Sequence, residues 1–339
     1  MSTRHTLLMA LMLWSWCAFC QTEPAGSPET VFKLNVNLVV VDAQVLHKKT
    51  GDSVESLTPA DFRLYENGVL QRISYFSQDE LPLSVVFLFD LTDSVRPVLK
   101  PLAEGAFRAL SHLKPEDEAA VMVYSAAAHL LQDFTADHSL IVRAIDRAGR
   151  MERRDAAFFN EGVFQAAMRA GQVAPGRRRV IVWLTDNVPN IPSEDMIYKY
   201  RETAPDGGLH SEREAMTALY RTETVVCTLL LRSDISEREF MHNLSDPMTM
   251  LGRRQYPPGD VYRYTTQTGG QVIESSRPSR AGVKLAQMID QIRTRYALGF
   301  SPRAEGAQGR FNELRLELAP EAKAREGKTV VNVRKGYYR

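Results

Sequence analysis

Two stretches of this sequence end an apolar run on an acidic residue. The first reads Phe87-Leu-Phe-Asp90-Leu-Thr92-Asp93-Ser94, the second Val182-Trp-Leu-Thr185-Asp186-Asn187. A carboxylate with hydroxyls two and four residues later on one tight loop supplies hard oxygen donors. Such donors suit Mg²⁺, Ca²⁺ or Mn²⁺ rather than zinc. A single Asp at a strand end is ordinarily a helix cap or a solvated turn. Two of them after two apolar strands point to one shared site, because ligands of an open parallel sheet bind beyond the carboxyl ends of its strands.

Other chemistry is thin. The sequence has no Gly-x-Ser-x-Gly, no Gly-x-x-x-x-Gly-Lys-Ser/Thr and no His-Glu-x-x-His. Its 7 histidines are scattered, and His129 and His138 read as surface groups. Of the 3 cysteines, Cys227 stands apart inside Thr224-Val-Val-Cys-Thr-Leu-Leu-Leu231 and reads as a small buried hydrophobe. Arg177-Arg178-Arg179 precedes a strand and reads as a solvated edge rather than an anion site.

The elements that must hold Asp90 and Asp186 follow from periodicity. Leu83–Phe89, Arg179–Leu184 and Val225–Leu231 are continuous apolar runs, the mark of strands covered on both faces. Ala119–Tyr124 and the short Gln271–Glu274 add further strands, and Leu130–Phe134 pairs beside the former. Helical spacing marks Val98–Leu113, Ser139–Ala148, Glu161–Ala170 and the stripe Leu285, Met288, Ile289, Ile292. Repeated β–α alternation predicts an α/β, doubly wound, mostly parallel sheet over residues 82–296. The excursion Ser233–Tyr264 exceeds the usual ~2–6 residues between such elements and is a candidate specificity loop.

Both ends of the chain are β-rich instead. Phe32, Leu34, Val36 and Leu38 alternate with polar residues, and Asn67-Gly68 between two alternating runs predicts a hairpin, since both turn positions need positive φ. Tyr296–Phe300, Glu313–Leu318 and Thr329–Val333 alternate likewise. The economical arrangement joins an N-terminal β segment (31–80) and a C-terminal one (297–339) into an accessory β domain.

The first residues read as an address. Arg4-His5 is followed by an apolar run from Leu7 to Phe19 broken only by Ser15, shorter than the ~20 residues of a spanning helix. Ala18-Phe19-Cys20 before Gln21 predicts cleavage there, so 1–20 is read as a signal peptide and 21–30 as a Pro/Gly/Ser linker. The expected location is periplasmic or extracellular, with no transmembrane segment in the mature chain. Composition agrees with a globular protein: 339 residues, 44% hydrophobic and 24% charged, are enough for about two domains at ~150 residues each. With 42 Lys+Arg against 41 Asp+Glu, the balance excludes a bulk basic surface for nucleic acid.

Asp90-x-Thr92-x-Ser94, with its preceding apolar strand, its following helix and the later Leu184-Thr-Asp186, resembles the metal-ion-dependent adhesion site of von Willebrand factor A (VWA) domains. Over residues 31–338 the chain more specifically resembles the acidobacterial VWFA-related family. Leu57-Thr-Pro-Ala-Asp-Phe-Arg-Leu-Tyr-Glu-Asn-Gly68, Leu81-Pro-Leu-Ser84 and Arg334-Lys-Gly-Tyr-Tyr338 look like that family's recurrent stretches. The resemblance implies a binding module rather than an enzyme. Its Mg²⁺ or other divalent cation would sit at Asp90, Thr92, Ser94 and Asp186 and be completed by an acidic side chain of a protein partner. Thr92 in place of Ser keeps the hydroxyl. The third loop, Arg153-Arg154-Asp155-Ala156-Ala157, lacks the family's Thr, so either Asp155 substitutes or that ligand is missing. The usual Gly after Asp186 is Asn187. An alternative is the phosphorylated loop of the haloacid-dehalogenase superfamily with Asp90 as nucleophile. That reading lacks the second Asp, since Thr92 stands in its place.

Overall fold

The computed structural model describes residues 38–78, 81–92, 95–125, 127–151, 157–188, 209–231, 260–302 and 309–338, together with Pro247 and Met250. Four strands come first: β1 (Val39–His47), β2 (Phe62–Glu66), β3 (Val69–Gln71) and β4 (Tyr75–Gln78). The β2–β3 hairpin turns on Asn67 and Gly68, whose φ angles are 49° and 80°. The Asn-Gly pair supplies the left-handed conformation that this tight turn demands.

The α/β unit then runs β5 (Leu83–Asp90), α1 (Arg96–Leu110), β6 (Glu118–Tyr124), β7 (Ala128–Thr135), α2 (His138–Arg150) and α3 (Phe159–Ala170). It continues with β8 (Arg178–Thr185), α4 (Glu212–Arg221), β9 (Val225–Leu231), α5 (Val261–Thr268), β10 (Val272–Ser275) and α6 (Ala281–Arg293). Its six strands are ordered β10-β9-β8-β5-β6-β7. All pairings are parallel except the antiparallel β6–β7 edge. This is the doubly wound sheet expected from the β–α alternation.

Burial by parity explains the continuous apolar runs. Every residue of β5 is buried. Val85, Phe87 and Phe89 point into a core with Leu102 of α1, Ile145 of α2 and Ile289 of α6. Val86 and Leu88 point the other way, to Val163 of α3, Leu219 of α4 and Tyr264 of α5. A strand sandwiched between two helical layers has no polar side, because successive side chains face opposite cores. Helices α1 and α6 approach closely through paired glycines: a Cβ added to Gly105 would lie 3.1 Å from Gly282 Cα.

The chain closes with β11 (Tyr296–Phe300), β12 (Phe311–Leu318), α7 (Pro320–Glu326), β13 (Thr329–Val333) and β14 (Gly336–Tyr338). These strands interleave with the first four in two four-stranded sheets, β13-β1-β11-β4 and β14-β12-β2-β3. Val41, Phe62, Leu64, Tyr296, Leu314 and Leu316 are among the residues of the core they share. Among the described residues, no helix is long and apolar enough to cross a membrane.

Several local expectations need correction. The first helix of the α/β unit spans Arg96–Leu110 and not Val98–Leu113. Helices α4 and α5 are not among the expected elements, although each buries a stripe at helical spacing. Helix α5, VYRYTTQT, is rich in β-branched and aromatic residues that are middling helix formers; its helix is held by burial of Val261, Tyr264, Thr265 and Thr268. The excursion placed at 233–264 therefore ends by Val261, where α5 begins; residues 233–246, 248–249 and 251–259 lie outside the described residues. The arginine triplet is not a solvated edge. Arg178 is 2% exposed. Its Nε donates to Asp42 Oδ1 at 3.0 Å, and its Nη groups donate to the carbonyls of Ile292 and Arg295, both at 3.2 Å. One guanidinium thus ties β8, β1 and the end of α6 together. Cys227 is buried as expected, and burial pushes its thiol up, away from thiolate chemistry.

Candidate functional site at the carboxyl end of the sheet

Asp90 is the last residue of β5 and Asp186 directly follows β8, the strand paired beside it in register Phe89↔Leu184. Parallel pairing therefore delivers both carboxylates to the same end of the sheet. Both are buried, Asp90 at 0% and Asp186 at 3% exposure, and Thr92 lies beside them at 4%.

Asp90 is gripped from three sides. Its Oδ1 accepts from the Thr92 backbone N–H at 2.9 Å. Its Oδ2 accepts from the Tyr124 hydroxyl and the Thr185 hydroxyl, each at 3.0 Å. Trp183 Nε1 in turn donates to the Tyr124 oxygen at 3.0 Å. Burial pushes the Asp90 carboxyl up and these neutral donors oppose it. Burial, and then the nearby Asp90, push the Tyr124 phenol well above its usual range, so it stays a donor. Asp186 Oδ1 accepts from the Val188 N–H at 2.9 Å. Asn187 between them has φ 62°, a left-handed conformation that Asn tolerates where the family pattern has Gly.

The site has a second tier that sequence reasoning missed. The Phe158 N–H donates to the Ser125 carbonyl at 2.9 Å, which seats the start of α3 at the end of β6. The Tyr264 hydroxyl donates to Asn160 Oδ1 at 2.9 Å. His210 Nδ1 meets Glu161 Oε2 at 2.6 Å, and the His210 ring stacks on Phe164 at 10° between planes. Glu161 and His210 are 49 positions apart, and neither is part of a motif. Ser94, Asp93 and Asp155 lie outside the described residues.

The donor set suits a hard divalent cation. Asp90, Thr92 and Asp186 offer oxygen only. Among the described residues the hydrogen-bond partners of Asp90 are neutral, so dipoles and not a guanidinium or ammonium face its carboxylate there.

No family model matches this chain, and no curated protein matches it. Solved structures similar to it include the von Willebrand factor type A protein from Catenulispora acidiphila, at 12% identity and TM-score 0.44, covering 83% of this chain and 74% of that one. The conserved hypothetical protein BatB from Bacteroides thetaiotaomicron is similar at 14% identity and TM-score 0.40, over 62% of this chain and 98% of its own. The pilus adhesin SpaC from Lactobacillus rhamnosus GG is similar at 12% and 0.41, over 75% of this chain and 35% of its own. The fold assignment itself rests on the strand order and pairing described above.

Proposed function

We propose that this chain is an exported protein-binding module whose binding end is the carboxyl end of the central sheet. The observation that carries this reading is the convergence of Asp90, Thr92 and Asp186 at the ends of two neighbouring parallel strands, with Asp90 buried among neutral donors. In this reading Asp90, Thr92, Ser94 and Asp186 hold Mg²⁺ or another divalent cation, and Asp155 is the further candidate ligand. The cation would offer an open position to an acidic side chain of the partner, giving specificity to a chain of nearly neutral net charge. The chain's own residues do the rest: Tyr124 and Thr185 orient Asp90, and burial excludes competing water. The absence of a second Asp at position 92, where Thr stands, favours this role over nucleophilic attack on a phosphoryl group. The unit of 82–296 carries the binding end, and the described strands on either side of it, β1–β4 and β11–β14, form the two accessory sheets.

Calorimetric titration with Mg²⁺ and Mn²⁺ tests the site. Binding should be lost in Asp90→Ala and retained in Asp93→Ala; equal behaviour of wild type and Asp90→Ala refutes it. Intact-mass measurement of material from the host envelope or medium tests export, which predicts a chain beginning at Gln21.

A further inference from the structure

The opposite end of the sheet holds a second feature, independent of the metal reading. Where the amino ends of β8 and β9 meet β1 and β4, a cleft of about 260 Å³ opens. Its polar lining includes Arg177, Arg179 and Arg334, and its apolar wall includes Leu38, Val40 and Tyr75.

The guanidiniums are fixed in place. Arg334 Nη1 lies 3.1 Å from Glu223 Oε1, and its Nη2 donates to the Val40 carbonyl at 2.6 Å. Arg179 donates to the Thr222 and Val173 carbonyls at 3.1 and 3.3 Å. Arg177 pairs with Glu118 at 3.1 Å and Arg178 with Asp42 at 3.0 Å. Behind them lies Arg295, fully buried and near Asp42 and Arg178. Asp42, Glu118 and Glu223 thus face five guanidiniums, and among the described residues no carboxylate pairs with Arg179. A half-enclosed cleft lined by Arg177, Arg179 and Arg334 against Asp42 and Glu223 carries surplus positive charge, which favours an anion.

The apolar wall restricts which anion. An inorganic ion would leave Leu38, Val40 and Tyr75 uncovered. We propose that the cleft binds a small amphiphilic carboxylate, its head at Arg179 and Arg334 and its hydrocarbon body along Leu38, Val40 and Tyr75. Size agrees: an apolar cavity of about 150 Å³ holds a six-carbon ring, so 260 Å³ takes roughly ten heavy atoms. Octanoate has that many.

Thermal unfolding of the full chain in chelator, with octanoate, octylammonium, octanol or sulfate, tests the proposal. Saturating octanoate should raise Tm by roughly 2 °C or more, because only the folded chain has the cleft. The other three should not. Arg179→Gln should weaken octanoate binding roughly tenfold or more by calorimetry. Leu38→Asp sits at an exposed position and tests the same site should Arg179→Gln fold poorly. Asp90→Ala should keep the full octanoate response, which separates this site from the cation site. Absence of a shift with octanoate, an equal shift with octylammonium, octanol or sulfate, or undiminished binding in both variants would overturn the proposal.

Discussion

The Tyr124 hydroxyl donates to Asp90 Oδ2 at 3.0 Å across the β5–β6 pairing, and both side chains are completely buried. A carboxylate in this position stays oriented because the phenol cannot leave without abandoning its bond from Trp183. The relationship makes Tyr124 a positioning residue for the candidate site.

Tyr124→Phe keeps the ring and deletes the donor. It should cost about 2 kcal/mol, since a hydrogen bond to a charged group is lost and Trp183 Nε1 loses its acceptor. Urea denaturation measures it; a change under about 0.5 kcal/mol would show that the bond does not support the fold.

Gly162→Ala probes the same ring from α3. The added Cβ would lie 2.7 Å from Tyr124 Cγ, too close for any real contact. Alanine gains about 1 kcal/mol of helix propensity, but displacing a buried ring costs about 1–3 kcal/mol. The variant should therefore be less stable in denaturation, and Asp90-dependent cation titration should weaken with it.

Asp42→Asn should be severe. It removes the carboxylate from Arg178 and from the neighbourhood of Arg295, leaving buried cations uncompensated. Breaking one partner of a buried pair costs about 3–5 kcal/mol. The denaturation midpoint should fall sharply, whereas Asp146→Asn, which breaks the exposed Arg150 pair, should change it little.

Acid should loosen α4 first at its start. Glu214 accepts from the Ser211 N–H and hydroxyl in a capping box, and these bonds hold its carboxyl below the usual 4.5. A carboxyl whose folded pKa is depressed adds stability above its unfolded pKa and loses it as pH falls through the folded value. The stability difference between wild type and Glu214→Gln should thus be constant above about pH 5.5 and shrink below 4.5. A difference unchanged down to pH 3 would refute the cap's contribution.

Local patterning was enough to locate much of this molecule. The continuous apolar runs of β5, β8 and β9 record burial on both faces, and Asn67-Gly68 records a turn that few other pairs can make. Strand ends locate Asp90 and Asp186, because parallel strands flanked by helices all deliver their carboxyl ends to one edge. What tertiary structure decided is who meets whom. Tyr124 and Thr185 reach Asp90 from 34 and 95 positions away, and Glu161 finds His210 at 49. The arginine triplet reads as solvent-facing by charge, yet Asp42, 136 positions distant, and two carbonyls draw Arg178 inside. Periodicity reports how much of a side chain is buried, whereas the partner that makes a buried charge tolerable is set by strand order. That order depends on the summed packing of distant segments and leaves no local trace.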